Sequence, residues 1–399
     1  MIRAYRYRLK PNKTQSILLD KCIGCSRFIY NWGLALRNEH YQKEGKKLDW
    51  VEICKQITIL KKQKEYEWLK EVPSQSLQAS IRNMDAAFTW FFKGDGNFPK
   101  FKSKRHKSQT FQVASNVVFD FSTNRVQLPK IGKVKFLHNR PFKGKTGIAT
   151  IRRTNTNKYY ISINVDDGND APSKFTIRED TSIGIDVGLK DFAVLSNGQV
   201  FENPKYLEKA EKRLNVLQRR LSKKQKGSKR QEKARLALAK AYEKVKNCRT
   251  DYIHKVSSKI IRENQTVIIE DLNIDGMMKN HNLAKHIGSV SWNEFFRQLQ
   301  YKADWNGVNL IRIGRFEPSS KMCLCGFIYK ELKLSDRKWI CPNCGRNNDR
   351  DLLASINIKR FGLQKQQIEI SPTECGVEGV EWSVLVDTVK RQYVKLNKH

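Results

Sequence analysis

Three acidic residues close or open apolar runs. Asp186 follows Ile183 and Ile185 and begins the string DVGLK; Glu270 follows Val267, Ile268 and Ile269; Asp351 precedes Leu352, Leu353, Ala354 and Ile356. Carboxylates at two strand ends and one helix start can meet at one edge of a sheet. Three such groups repel one another unless a cation sits among them, and Mg²⁺ takes hard oxygen ligands of this kind. Paired divalent ions about 3.5–4 Å apart activate a water and stabilise the leaving oxygen of a phosphodiester. Each acid alone also fits an ordinary strand end or a helix N-cap. The combination is what points to phosphodiester chemistry.

A second constellation is built from sulfur. Of nine cysteines, Cys323, Cys325, Cys341 and Cys344 fall within 22 residues. Cys341-Pro-Asn-Cys344-Gly is a zinc knuckle, and 15 residues separate Cys325 from Cys341, as in a two-knuckle ribbon. The first knuckle is C-x-C, one residue shorter than usual. A four-cysteine zinc site is the expectation, with a three-cysteine site or free thiols as alternatives. Cys22 and Cys25 have C-x-x-C spacing inside CIGCSRFIYNWGLAL, an apolar helical pattern, and read as buried thiols. An odd cysteine count without a secretory pattern argues against a disulfide framework.

The charge says what such chemistry would act on. The chain has 399 residues with 76 Lys+Arg against 40 Asp+Glu, a net charge of +36. Self-repulsion of that size disfavours a compact state, so a large polyanionic partner is expected. Residues 205–249 hold 17 Lys/Arg and four Glu, including Arg219, Arg220, Lys223 and Lys224. Counterion release from phosphates gives such density a purpose that a solvated helix face lacks. Lys100, Lys102, Lys104 and Arg105 stand among Phe98, Phe101 and Phe111, which reads as backbone contact with packing or stacking. No apolar run approaches the length of a membrane span, which rules out a transmembrane helix, so no membrane partner is expected, and MIRAYRYRLKPN lacks the apolar core of a signal peptide. A cytoplasmic protein is expected. No G-x-x-x-x-G-K-[ST] string offers a seat for ATP.

The elements that must position these groups follow from periodicity. Residues 1–10 alternate with period two, and helical patterns fill 11–104. Period two returns between Gln109 and Asp166 in five or so short runs, suggesting a small β-barrel closed by the N-terminal strand and interrupted by the helices. After a polar linker near 171–182 comes an α/β pattern: strands ending at Asp186 and Glu270, a long basic helical stretch from Lys205 to His254, a helix through SVSWNEFFRQLQYKADW, strand NLIRIG, the cysteines, and a helix from Asp351.

The strings GIDVGLKDFAVLSNG, VIIEDLNIDGM, SVSWNEFFRQLQYKADW and NNDRDLLASINI resemble TnpB, the transposon-encoded family ancestral to type V CRISPR effectors. RAYRYRLKPNKTQ and FPKFKSKRHKSQTF resemble it too, so the similarity runs over residues 1–362. It implies an α+β multidomain chain: a wedge barrel from 1–10 and 105–178, a helical recognition domain at 11–104, and a RuvC-like, RNase H-type nuclease domain at 179–318 and 347–365. A zinc ribbon at 319–346 completes it, followed by a C-terminal tail at 366–399 that is expected to be disordered. The resemblance makes Asp186, Glu270 and Asp351 the catalytic triad holding two Mg²⁺ ions, with Asp349 a weaker competitor for the third place. It makes Cys323, Cys325, Cys341 and Cys344 the ligands of a structural Zn²⁺. The family usually has Asn two positions after the third acid, where this chain has Leu353.

The implied function is RNA-guided cleavage of double-stranded DNA beside a short transposon-adjacent motif, by a monomer carrying one guide RNA. Base pairing would read the sequence while the protein grips backbone. Gln78 and Arg82 share a polar helix face at i, i+4 beside the apolar stripe Leu77, Ile81, Met84 and Phe88. Gln pairs with adenine and Arg with guanine in a major groove, so these two are the expected motif readers. Other readings are a type V CRISPR effector with a separate crRNA, a guide-directed repressor without cleavage, and a protein-only transposase.

Overall fold

The computed structural model describes residues 1–104, 109–333 and 335–367, without the side chain of Asn282. Arg105 and nearly all of the expected C-terminal tail lie outside the described residues. The chain forms two compact units, Met1–Asp170 and the part from Ala171 onward.

The first unit opens with strand β1 (Ile2–Lys10). Three helices come before the next strand: α1 (Lys13–Glu44), α2 (Trp50–Leu60) and α3 (Ser74–Phe92), with a 3₁₀ segment at Lys64–Glu71. A capping box starts α1, in which Gln15 N–H donates to Asn12 Oδ1 at 2.8 Å and Asn12 N–H donates to Gln15 Oε1 at 3.1 Å. Gly45, at φ 68°, ends it in the left-handed conformation that glycine adopts without steric cost. Strands β2 (Gln109–Val113), β3 (Val118–Asp120), β4 (Arg125–Leu128), β5 (Gly132–Leu137), β6 (Lys145–Arg153) and β7 (Tyr159–Asp166) complete a seven-stranded sheet ordered β2-β6-β7-β1-β5-β4-β3.

β1 therefore joins the two halves of the sheet from its middle, antiparallel to both β7 and β5. The sheet must also curl. Six inter-strand steps of about 4.8 Å would hold β2 and β3 about 29 Å apart on a flat surface. Val113 and Val118 are only five residues apart in sequence, a span of at most about 18 Å. The barrel-like curvature follows from that short link. Helices and sheet share one core, in which Leu19, Ile29, Ile53 and Leu77 belong to the same buried cluster as Phe111, Val126, Phe136 and Ile161.

In the second unit, β8 (Ser182–Asp186), β9 (Asp191–Leu195), β10 (Val200–Glu202), β11 (Thr266–Glu270) and β12 (Asn309–Ile313) form a sheet ordered β10-β9-β8-β11-β12. β8, β11 and β12 run parallel, whereas β9 is antiparallel to its neighbours. The basic stretch after β10 is two helices, α4 (Tyr206–Ser222) and α5 (Lys229–Glu263). Ser228 divides them as a cap, its Oγ accepting from Gln231 N–H at 3.0 Å. The short α6 (Ile274–Met277) and α7 (His281–Val290) lead to α8 (Trp292–Asn306). A small hairpin, β13 (Lys338–Ile340) with β14 (Asn347–Asp349), precedes α9 (Arg350–Lys365).

Strand alternation assigns the faces. Ile183, Ile185, Val267 and Ile269 pack with Ile253 and Ile260 of α5 and Phe295 and Leu299 of α8. Ile268 faces the other way, onto Ile358 and Leu363 of α9. Gly184 faces α9 as well, so closely that an added Cβ would stand 2.1 Å from the Ser355 carbonyl oxygen.

Candidate nuclease site and cysteine centre

The same alternation places the acids. Asp186 is two residues beyond Gly184 and Glu270 two beyond Ile268, so both carboxylates belong to the α9 face. β8 and β11 pair in parallel with Ile185 opposite Ile269, which brings the next residues, Asp186 and Glu270, out side by side at the carboxyl edge. Open α/β sheets bind ligands at that edge. Asp351 arrives from the first turn of α9, the helix packed on the same face. The helix N-cap is Asp349, whose Oδ1 accepts from Leu352 N–H at 3.2 Å. Asp349 also ends β14 opposite Lys338, so it is already committed to local structure.

The electrostatics report the convergence. Burial holds the Asp186 carboxyl well above the usual carboxylate range, and the neighbouring charges of Glu270 and Asp351 raise it further. Arg350 and the Val187 N–H oppose the shift. Burial also raises Glu270, while a 2.6 Å hydrogen bond donated by Ser319 Oγ to its Oε1 pulls the other way. Arg337 Nη1 holds the Asp351 carboxylate at 3.0 and 3.1 Å. Arg315 Nη2 pairs with Asp271, next to Glu270, at 3.0 Å. A partly buried carboxylate crowded by two others is a group in want of a cation, and hard oxygen donors of this kind fit Mg²⁺.

Four sulfurs make the tighter cluster. The Sγ atoms of Cys323, Cys325, Cys341 and Cys344 all lie within 4.8 Å of one another, the one such group among the described residues. Cys323 to Cys344 is 3.7 Å and Cys325 to Cys341 is 3.6 Å. Tetrahedral zinc with Zn–S of about 2.3 Å sets its sulfurs about 3.8 Å apart. The short first knuckle is accommodated by a tighter turn. Gly326 N–H bonds Cys323 O, three residues back, whereas Gly345 N–H bonds Cys341 O, four back. Asn343 Nδ2 donates to Cys325 Sγ and Asn348 Nδ2 to Cys323 Sγ, both at 3.6 Å. Against burial, which raises it, the Phe327 N–H and Asn343 bring the Cys325 thiol down to about 7. These donors suit thiolates bound to a soft cation.

Leu353, the departure from the family pattern, is buried among Cys323, Leu332, Trp339 and Cys341. It pins α9 to the cysteine module by packing. Cys22 and Cys25 are buried in α1, and burial raises Cys22 to about 12.

The remaining candidates are surface residues. Gln78 and Arg82 are exposed on α3. The Arg82 guanidinium stacks 4.8 Å from the Trp50 ring, in an open groove of about 410 Å³ with Trp90 and Lys93. Lys100 and Lys104 are exposed, while Lys102 Nζ sits 3.6 Å from the centre of the Tyr30 ring. Phe111 is buried in the core and offers no stacking surface, whereas Phe98 and Phe101 are exposed. Arg219, Arg220, Lys223 and Lys224 are exposed at the α4–α5 turn. Ser319, Arg337 and Asn348 were not legible as site residues, because each meets its partner across a chain separation no local pattern encodes.

A five-stranded mixed sheet in this order, with acids at the carboxyl edge and on the covering helix, defines a RuvC-like fold of RNase H type. Comparisons with known proteins agree. A family model described as a probable transposase, OrfB of IS605, matches residues 168–281, and a Cas12f1-like TNB domain matches 292–358. A helix-turn-helix model matches residues 1–46, although here they form β1 and the single unbroken helix α1. A protein of Streptomyces pristinaespiralis named "Putative RNA-guided DNA endonuclease" is 33% identical over 365 residues, covering 90% of this chain and 89% of its own. One from Escherichia coli K12, "Putative RNA-guided DNA endonuclease InsQ", is 30% identical and covers 89% and 92%. The chain belongs to this family, the OrfB or TnpB family. A solved Cas12f1–sgRNA–target DNA complex shares the fold, with a TM-score of 0.53 at 14% identity over 87% of this chain and 83% of that one.

Proposed function

We propose that this protein is an RNA-guided DNA endonuclease whose cleavage centre is Asp186, Glu270 and Asp351. The observation that carries the reading is that two strand-end acids and one helix acid share the α9 face, with Asp186 pushed up by burial first and by the charges of the other two after it. Divalent ions held there would activate a water and stabilise the leaving oxygen of a phosphodiester. Asp186 and Glu270 hold the strand-borne side of the site. Asp351 supplies the third ligand from α9 once Arg337 yields it. Arg337, freed in this way, stands ready to meet a backbone phosphate.

The guide and target are read elsewhere in this proposal. The relatives' names and the charge of +36 support a guide RNA paired to a DNA strand, with the exposed Arg219, Arg220, Lys223 and Lys224 gripping backbone. Exposed Gln78 and the Arg82–Trp50 stack suit contact with a short duplex motif. The cysteine module takes one zinc and positions rather than reacts. No described helix is long and apolar enough to cross a membrane.

The test is cleavage by the protein assembled with the RNA that copurifies with it. Asp186→Ala, Glu270→Ala and Asp351→Ala should each abolish Mg²⁺-dependent cutting while guided binding persists. Cutting that survives two of these substitutions overturns the assignment. Wild-type binding without cutting would mark a guided repressor, and DNA specificity that survives ribonuclease would mark a protein-only transposase.

A further inference from the structure

Glu270 ends a strand, and a strand end fixes a backbone position without fixing a glutamate's three side-chain torsions. Something else must aim its carboxylate. Ser319 does so directly, through the 2.6 Å bond from its Oγ, although it lies 49 residues further along the chain. Ser319 is itself buried and sits in the loop that leaves β12 and runs into Cys323. A loop residue needs an anchor to hold such a bond.

The anchor is Asn357, fully buried on α9 six residues, about 1.7 turns, beyond Asp351. Its Nδ2 donates to the Ser319 carbonyl at 2.7 Å and to the Met322 carbonyl at 2.6 Å. Both neighbours are acceptors, so the amide has one workable orientation. Its Oδ1 is buried without a partner, a cost that an apolar residue of similar size would avoid. What an asparagine supplies here, and an apolar residue cannot, is its two donated bonds. They pin the loop on either side of residues 320 and 321, just before the first cysteine.

We propose that Ser319 and Asn357 are positioning residues for Glu270, forming a relay by which α9 aims the second acid as well as carrying the third. One helix thus fixes both ligands, and Asp186 is left to its own strand. The proposal rests on reading Glu270 as a divalent-metal ligand. Partners that hydrogen-bond a ligating carboxylate are worth about 10–100-fold in metal affinity.

The experiment is Mn²⁺ binding to the full-length chain, followed by the electron paramagnetic resonance of the free ion, with zinc content and melting temperature measured alongside. Ser319→Ala should weaken Mn²⁺ binding about tenfold, and Ser319→Thr, which keeps the hydroxyl, should bind within about threefold of wild type. Asn357→Leu should weaken binding as Ser319→Ala does. Equal weakening by the Ala and Thr variants, or a lowered melting temperature with unchanged Mn²⁺ affinity, overturns the relay. Glu270→Gln separates the two levels. If it abolishes Mn²⁺ binding while Ser319→Ala does nothing, the relay is wrong and the metal site stands. If Glu270→Gln binds Mn²⁺ as well as wild type, the metal-site reading itself fails. The Ser319 pair decides the matter even if Asn357→Leu does not fold.

Discussion

Asp186 shows at the scale of one residue what it costs to bury a carboxylate beside two others. Its carboxyl is held well above the ordinary range, so between that range and the raised value the folded chain binds more protons than the unfolded one. Stability must then fall as pH rises through this window. In the presence of chelator, Asp186→Asn should melt higher than wild type at pH 8, and the gap should close towards pH 4. Each kcal/mol of relieved repulsion is worth about 2–4 °C in a unit of roughly 200 residues, the size of the part from Ala171 onward. Mg²⁺ should raise the wild-type melting temperature and leave the variant's nearly unchanged. Thermal melts at three pH values, with and without Mg²⁺, check both statements. Wild type and variant melting alike at pH 8 would mean that Asp186 carries no such strain.

Among elements, the contact between β8 and α9 decides where the third acid stands. Gly184 touches the helix backbone, and a Cβ there would fall 2.1 Å from Ser355 O and 2.6 Å from Lys359 N. Backbone cannot swing aside as a side-chain tip can. Gly184→Ala should therefore push α9 off the sheet, at a cost near the upper end of the roughly 1–3 kcal/mol typical of overpacking. Urea unfolding should show the loss, and cleavage should fall with it because Asp351 retreats from Asp186. An unchanged midpoint would mean that helix and strand part without penalty.

The element scale is also where reading from sequence succeeds and stops. Asp186 and Glu270 were legible because each ends a run buried on both faces, a pattern written in consecutive residues. The break between α4 and α5 was equally written, in Gly227 at φ 84° and the Ser228–Gln231 cap, yet the density of Lys and Arg masked it as one stretch. The barrel's middle strand was expected at its seam, because hairpin patterns tell which neighbours are close but not which distant strand joins two meanders. Ser319, Asn357 and Arg337 had no local pattern at all. Their partners are set by how α9 and the cysteine module dock, and side-chain contacts made across 14 to 49 residues leave no period to count.

For the whole molecule, charge sets the terms of binding. A surface carrying +36 attracts any nucleic acid, so the measure of a specific contact is how it responds to salt. Replacing Arg219, Arg220, Lys223 and Lys224 together by Gln should reduce the slope of log K against log salt for guide RNA by up to about 3, since each phosphate contact contributes about 0.7–0.9. Filter binding at four salt concentrations checks it. An unchanged slope would place the RNA away from the α4–α5 turn. The folded core should be indifferent, because all four side chains are exposed.

The central position of β1 has a consequence for how the protein is made. Its two neighbours, β5 and β7, begin at residues 132 and 159, while β1 ends at Lys10. At roughly 5–20 residues per second, a ribosome delivers β7 about 7–30 s after β1 has emerged. Until β5 follows, Tyr7 and Leu9 have no neighbouring strand to pair with. Helices α1, α2 and α3 are the first elements synthesised in the interval, ahead of any further strand, and they share the cluster to which both residues belong. Nascent chains arrested before β7 should expose β1 to protease, and chains carrying β7 clear of the ribosome should protect it. The strand made first is among the last to be paired.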